Sequence, residues 1–542
     1  MGQVFLYRPA VGDRFLLPVE SAIYRLLGTS PRHSMRAREY LAALGLVSLF
    51  LIVWLYLWFT FQQTLPDNPL GIVNMPWYEG FHSAASFTTN TDFVHFSSES
   101  ALSQGTIVFA IQIALFLSAS SGLAVVAAFI RGFVRKDGTL GNFYVDIVRS
   151  MTRILVPLAF LGAILLVLFG VPETLAAYVT VHPLGGGTQT IPLGPVASFQ
   201  SISLLGTNGG GFYSANAGSP FANPSEASNL FQIGWMLLIP ISTPFLFSTM
   251  VKRPGEALPY LGTILLVLVV AIGLFLAYQS VANADLALPQ VAIGSNGYPV
   301  GQETRFSLAS GSAFQVVSVY DNVGANNLAI GSVSPVGQMV LLFGMFTQST
   351  PGGEGTGFGT LLIYALMAIF VGGLMVGRTP EYLGKKIGQV QIRWAALVLF
   401  IHPVLILVPT AIATLGGFVP LAGPTSPAGA STAYIAHSFT NVLYEFTSES
   451  ANNGSGMAYS DNTLFLNFAG GIVMLVGRFL PIIAMITIGG QFAEQEPVPP
   501  GPGTLQTRSL TFMLYLAFFV IVLTGLLFLP VLALGPLSQQ GF

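Results

Sequence analysis

The chain has no cysteine among its 542 residues. Disulfides, thiolate metal sites and cysteine nucleophiles are therefore excluded. Charge is also scarce. Asp, Glu, Lys and Arg make up 8% of the residues, where a soluble domain carries about 25%. Hydrophobic residues make up 53%, and mean hydropathy is +0.70. So few charges cannot coat a water-facing globule, and the chain reads as a polytopic membrane protein. The formal net charge of −2 points to no particular partner, and no nucleic acid is expected. Met1 to Arg38 hold several arginines but no apolar run ahead of Tyr40, so no ordinary signal peptide is expected.

A membrane-crossing helix needs about 20 mostly apolar residues. Nine such runs lie near 40–62, 103–130, 153–171, 227–250, 258–280, 334–377 (interrupted), 395–418, 463–489 and 511–533. Lys and Arg in short loops set orientation. Six lie in 1–39, five in 131–153, two at Lys252 and Arg253, four in 378–393 and one at Arg508. These are 18 of the 20 basic residues, and all fall on one side of a nine-span chain. Arg478 lies within a span and Arg305 on the far side. The N-terminus is expected in the cytoplasm and the C-terminus, Gly541-Phe542, outside.

Four outer connections each carry an apolar stretch too short to span, followed by a polar turn. The first runs Phe81 to Phe87, then Thr88-Thr89-Asn90-Thr91-Asp92. The second runs Val196 to Leu204, then Leu205-Gly206-Thr207-Asn208-Gly209-Gly210-Gly211-Phe212. The third runs Ala313 to Tyr320, then Asp321-Asn322-Val323-Gly324-Ala325. The fourth runs Ala436 to Tyr444, then Thr447 to Ser455. With Asn90, Asn208, Val323 and Asn453 in register, the intervals are 118, 115 and 130 residues. The repeating unit is span, half-helix, turn, span.

The fold expected is an all-α membrane protein of four tandem units around one pseudo-fourfold pore, plus a C-terminal span. The units are 40–135, 149–253, 258–393 and 395–489. A cytoplasmic segment, 1–39, precedes them, and 490–542 holds a cytoplasmic loop and the last span.

Irregular backbone is tolerated in a membrane only where protein buries it or it lines a watery cavity. Glycine lets such backbone turn its carbonyls where other residues resist. Each half-helix would end at its turn, placing roughly half a negative charge there. Carbonyls then replace an ion's water shell. Neutral oxygens from carbonyls, Thr and Asn suit a large monovalent ion, whereas Ca2+ sites recruit carboxylates. K+ is the leading candidate. Asp92, Asp321, Glu445 and Glu449 lie beside the turns, where they would concentrate cations. The competing reading of any single turn is a tight helix–helix loop; four alike on one face argue against it. Asn453-Gly454-Ser455 also fits a glycosylation sequon, but a half-helix would bury it.

A second glycine cluster, Pro351 to Gly359, interrupts the third unit. No Gly-Lys-Ser/Thr follows, so it is no phosphate-binding loop. It reads either as an outer loop or as an intramembrane gate. Arg478 within a span is either functional or snorkelling to the inner surface. Gly353, Gly355, Gly357, Arg378 and Arg478 are the candidate gate residues. The charged loop Gly377 to Lys386 is a topology anchor or a docking edge. The histidines, His33, His82, His95, His182, His402 and His437, show no metal-ligand spacing and read as packing or surface residues.

Three stretches carry a resemblance: Gly206-Thr207-Asn208-Gly209-Gly210-Gly211-Phe212, Gly377-Arg378-Thr379-Pro380-Glu381-Tyr382-Leu383-Gly384-Lys385-Lys386, and Asn452-Asn453-Gly454-Ser455. Glu303-Thr304-Arg305-Phe306 adds to them. Together they resemble the potassium-binding, channel-like A subunit of the bacterial Kdp potassium-importing ATPase, over nearly the whole chain from Leu26 to Pro536. The resemblance implies a fold of the potassium-channel superfamily. It implies filter positions at Thr89, Asn90, Thr91, Thr207, Asn208, Gly209, Val323, Gly324, Asn453 and Gly454. It implies partners: a P-type ATPase catalytic subunit and small accessory subunits in the bacterial cytoplasmic membrane. K+ would be selected here and pass by a tunnel to the ATPase subunit. This chain has neither a phosphate-binding loop nor Asp-Lys-Thr-Gly, so no hydrolysis of its own and no organic cofactor are expected.

Three departures stand out. The family usually opens with one further span, Asp92-Phe93 replaces the usual Asn-Trp, and Glu354 is unusual in its glycine cluster. A freestanding potassium channel or cation symporter of the same architecture is the alternative. A carrier of organic solutes predicts inverted repeats, and these repeats are parallel.

Overall fold

The computed structural model describes residues 1–10, 12–281, 301–375, 377, 380–418, 432–457, 462–499 and 505–539. Among them, nine helices are long and apolar enough to cross a membrane. The first unit pairs Ala37–Phe61 with Thr106–Val134, and the second pairs Phe143–Leu168 with Glu226–Met250. Pro254–Gln279 opens the third unit, and Gln389–Leu415 and Leu464–Ala493 belong to the fourth. Leu510–Gln539 is the ninth and packs against the helices of the third unit. Phe528 there stacks on Phe346, with ring centroids 3.8 Å apart.

The third span starts ten residues before the apolar run near 153–171. Asp146, Arg149 and Arg153 make that leading part too polar to read as membrane helix, yet each is neutralised within the protein. Arg131 forks onto both oxygens of Asp146 at 2.6 and 2.7 Å. The hydroxyls of Tyr7 and Tyr40 donate to the same carboxylate at 2.8 and 3.0 Å. Arg153 pairs with Glu20 and hydrogen-bonds Asp13, which holds the Asp13 carboxyl below its ordinary range. The segment Asp13–Leu26 is thereby stitched to the second unit. The helix then passes through one wider π turn, Met151–Leu155. Pro157 follows; it lacks an N–H and would crowd the carbonyl four residues back, so a widened turn relieves that clash.

The expected half-helices are present as Trp77–Thr88, Val196–Leu205, Leu308–Tyr320 and Thr432–Ser450. In every unit the leading span packs on its own short helix. The third unit's returning segment is broken. Pro335–Thr347 is too short to span, and a loop joins it to Thr356–Met375. The glycine cluster therefore lies inside the protein rather than at its outer surface. Gly353 and Glu354 in it are buried.

Candidate functional site: a ring of four turns

Each short helix ends in the same backbone device. The N–H of Thr91 donates to Ser86 O at 3.0 Å, Asn208 to Ser203 O at 2.9 Å, Val323 to Ser318 O at 2.8 Å and Asn453 to Ser448 O at 2.8 Å. This is a six-residue C-terminal cap that satisfies carbonyls left free at a helix end. The acceptor is a serine in all four. Ser318 Oγ also donates to Ala325 O at 2.6 Å, and Ser203 Oγ to Gly209 O. These hydroxyls brace the turns from behind.

The dihedrals repeat as well. Left-handed residues occur at Asn90 and Asp92, Thr207 and Gly209, Asn322 and Gly324, and Asn452 and Gly454. One residue without positive φ separates each pair. Such alternation turns neighbouring carbonyls toward one side, as a cation filter requires. Side chains other than Gly and Asn are costly there, by about 1–3 kcal/mol each. Thr207, at φ 46°, is held by two hydrogen bonds to Glu354.

The backbone register corrects one expectation. Thr91, not Asn90, is the counterpart of Asn208, Val323 and Asn453; Asn90 matches Thr207, Asn322 and Asn452.

The four turns surround one axis in chain order. A Cβ on Gly209 would fall 1.7 Å from Val323 O. One on Gly324 would fall 2.0 Å from Asn453 O, and one on Gly454 2.0 Å from Thr91 O. The first and second turns meet at Asp92 and Gly210, where a Cβ on Gly210 would be 3.1 Å from Asp92 Cβ.

The amides expected to offer oxygens to an ion are occupied as struts. Asn90 Nδ2 donates to Gly206 O and Thr207 O, at 3.1 and 2.8 Å. Asn453 Nδ2 donates to Val319 O at 2.8 Å, and Asn452 Nδ2 to Thr91 Oγ1 at 3.0 Å. Ser118 Oγ bridges the side-chain oxygens of Asn90 and Asn208, at 2.7 and 2.9 Å. The Thr89 and Thr91 hydroxyls bond each other at 2.7 Å. The main-chain oxygens of Val323, Asn453 and Thr91 each lie against the glycine of the preceding turn.

Above the ring lies a vestibule of about 860 Å3, lined by Asp92, Gly210, Phe212, Gly454 and others. Both carboxylate oxygens of Asp92 are buried there without a hydrogen-bond partner.

Below the ring, the glycine loop packs against the turns. Glu354 Oε1 pairs with Arg478 at 2.9 Å, and its Oε2 accepts from the Thr207 hydroxyl at 2.9 Å. Arg478 donates also to Thr356 Oγ1 at 2.9 Å. Gly353 N–H reaches Asp321 Oδ1 at 3.2 Å and Gly352 N–H reaches Tyr320 O at 3.0 Å. A cavity of about 30 Å3 remains among Asn90, Thr207, Asn322, Glu354, Asn452 and Arg478. Arg478 is 8% exposed and ion-paired, so it does not snorkel.

Of the loop glycines singled out, Gly353 has a left-handed φ of 97°, whereas Gly355 and Gly357 answer to space. A Cβ on Gly355 would sit 2.8 Å from Gly122 O, and one on Gly357 2.0 Å from Gly352 O. Arg378 lies outside the described residues. Its neighbours Tyr382 and Lys385 point inward: Tyr382 meets Tyr260 at 2.7 Å, and Lys385 donates to Gln495 O at 2.7 Å.

Three features escaped the sequence. Gly122 makes room for Glu354, since a Cβ there would fall 1.7 Å from Oε1. The serine five residues before each ring position was a usable signal. Two histidines read as packing or surface residues, His82 and His95, pair with Glu449 and Glu445 beside the ring.

The family model described as potassium-transporting ATPase A subunit matches residues 1–540. The chain belongs to this family. Among its relatives, a potassium-transporting ATPase potassium-binding subunit of Nostoc is 40% identical, over 99% of this chain and 94% of the relative. Subunits of the same name from Geobacillus kaustophilus and Pseudomonas aeruginosa are 38% and 39% identical, over 97% and 99% of this chain and 93% and 95% of theirs. The crystal structure of the potassium transporter TrkH from Vibrio parahaemolyticus aligns over 90% of this chain and 93% of its own, with a TM-score of 0.53 and 16% identity. That likeness shows the fold, and this A-subunit chain shares it.

Proposed function

We propose that this chain is the potassium-binding, ion-selecting subunit of an ATP-driven potassium importer, and no hydrolase itself. K+ enters the vestibule and sheds water onto a ring formed by the carbonyls of Thr91, Asn208, Val323 and Asn453. The observation that carries this is the repeated pair of left-handed residues, closed into one ring by contacts between successive turns. Four short helices aim their negative ends at that ring, which favours a cation. The complex sits in the bacterial cytoplasmic membrane, with the N-terminal segment inside and the C-terminus outside. A P-type ATPase subunit, small accessory subunits and lipid are its partners. The loop 348–355, with Glu354 and Arg478, is the gate through which K+ leaves toward the ATPase subunit.

A freestanding channel would need an open route below the ring; the loop leaves about 30 Å3 there. ATPase activity of the purified complex should saturate with K+ and respond poorly to Na+. Activity indifferent to K+, or a chain that purifies without any ATPase subunit, would refute the pump reading.

Asp92→Asn tests the mouth. Burial without a partner pushes the Asp92 carboxyl well above its ordinary range, so the comparison is made at a pH high enough to ionise it. A carboxylate about 4 Å from a cation is then worth about 1 kcal/mol even at the dielectric of water. The half-saturating K+ concentration should rise roughly fivefold, the gap narrowing as salt screens the charge. No change at low ionic strength would remove Asp92 from the entry path.

A further inference from the structure

Beside the ring, on the seam between the first and fourth units, we infer a binding site for a divalent first-row transition metal. Its ligands are His82, His95 and Glu449, with Glu445 beside His95. His82 lies on the first short helix, and His95 follows Asp92 by three residues. Glu445 and Glu449 lie one turn apart on the fourth short helix.

The geometry is that of a coordination shell. His82 Nε2 lies 3.0 Å from Glu449 Oε1, and His95 Nε2 lies 3.0 Å from Glu445 Oε1. One ligand atom each from His82, His95 and Glu449 falls within 4.8 Å of the others. Bonds of about 2.0–2.1 Å to an ion place neighbouring ligand atoms roughly 3.0–3.4 Å apart. The imidazole rings lie 4.5 Å apart, centroid to centroid.

A second observation points to a missing group. Glu449 is fully buried, and its Oε2 has no partner. Buried polar atoms are normally satisfied, and an orphan in such a place calls for an ion or a water.

The surroundings hold the ligands in place. Asn467 Oδ1 lies 3.0 Å from His95 Nδ1, the partner that orients a ligating imidazole. Gly470 leaves room for the Glu449 carboxylate; a Cβ there would fall 2.0 Å from Oε1. His95 lines the vestibule and gives an ion its way in.

Imidazole and carboxylate without sulfur suit Zn2+ among the first-row divalent ions. Bound there, the ion ties the segment after the first turn to the fourth short helix. This is the seam at which Gly454 closes on Thr91 O. The site thus clips the ring from behind and takes no part in passing K+.

The test uses the purified full complex, stripped with EDTA and titrated with Zn2+ or Co2+. The histidines exposed among the described residues, His33 and His182, are changed to Asn to remove surface binding. Elemental analysis after gel filtration should find one equivalent of zinc, and Co2+ should give visible ligand-field bands. Zinc should raise the melting temperature by several degrees. His82→Gln and Glu449→Gln should each weaken binding by at least about 100-fold, and in those variants the melting temperature should no longer respond to zinc. If the parent complex retains no equivalent of metal, the four residues are two histidine–glutamate pairs and the inference fails. Full binding by the double variant His82→Gln/Glu449→Gln would overturn it as well.

Discussion

Changing Gly209 to Asp is expected to raise the half-saturating K+ concentration of the complex by at least about 100-fold, or roughly 2.7 kcal/mol. Rejection of Rb+ and Na+ should weaken at the same time. The reason is steric before it is electrostatic. A Cβ on Gly209 would lie 1.7 Å from Val323 O, where no real Cβ can sit. Either the second turn or the third must retreat by more than an ångström. The left-handed φ of 77° adds about 1–2 kcal/mol for any side chain with a Cβ. A ring that selects by the spacing of its carbonyls cannot absorb such a shift and stay selective. Gly234→Ala is the control, because a Cβ there meets nothing within 4 Å. ATPase activity titrated with K+, Rb+ and Na+ is the readout. An unchanged ion dependence in Gly209→Asp would remove the turn from the filter.

How far the amino-acid sequence disclosed this ring depends on which atoms do the work. The spans were legible because a membrane helix needs a long apolar run, and such runs are hard to mistake. The short helices were legible because they are apolar but too short to cross. Aligning Asn90 with Asn208, Val323 and Asn453 puts the first turn one residue out of register. The ring is assigned to main-chain oxygens, so the side chain at a ring position is weakly constrained: Thr91, Asn208, Val323 and Asn453 carry a hydroxyl, two amides and an isopropyl group. The serine five residues earlier carries the register instead, through its fixed place in the cap.

The start of the second unit's first span was obscured by Asp146 and Arg149, whose charges are cancelled by partners distant in the chain, such as Arg131 and Glu20. The histidine cluster was invisible for a related reason. His82 and Glu449 are 367 residues apart, and no local spacing betrays a contact made by closing a ring of repeats.

Glu354 and Arg478 offer the second large effect, and the two charges should act in opposite directions. Both are buried, 2.9 Å apart, directly below the turns. Removing one partner of a buried pair leaves an uncompensated charge and typically costs about 3–5 kcal/mol. Glu354→Gln leaves the guanidinium alone beneath the ring, so it should repel K+ and cut turnover at least tenfold. Arg478→Gln leaves the carboxylate, which a K+ ion can neutralise in the guanidinium's stead. Half-saturation should then fall to lower K+ while turnover also drops, because the ion is held where it must leave. The double variant Glu354→Gln/Arg478→Gln carries no unpaired charge and should recover most of the lost melting temperature. These outcomes separate a gate from a structural brace. A brace predicts two destabilised single variants with the same K+ half-saturation as the parent, and that result would leave the loop a plug with no part in handling the ion.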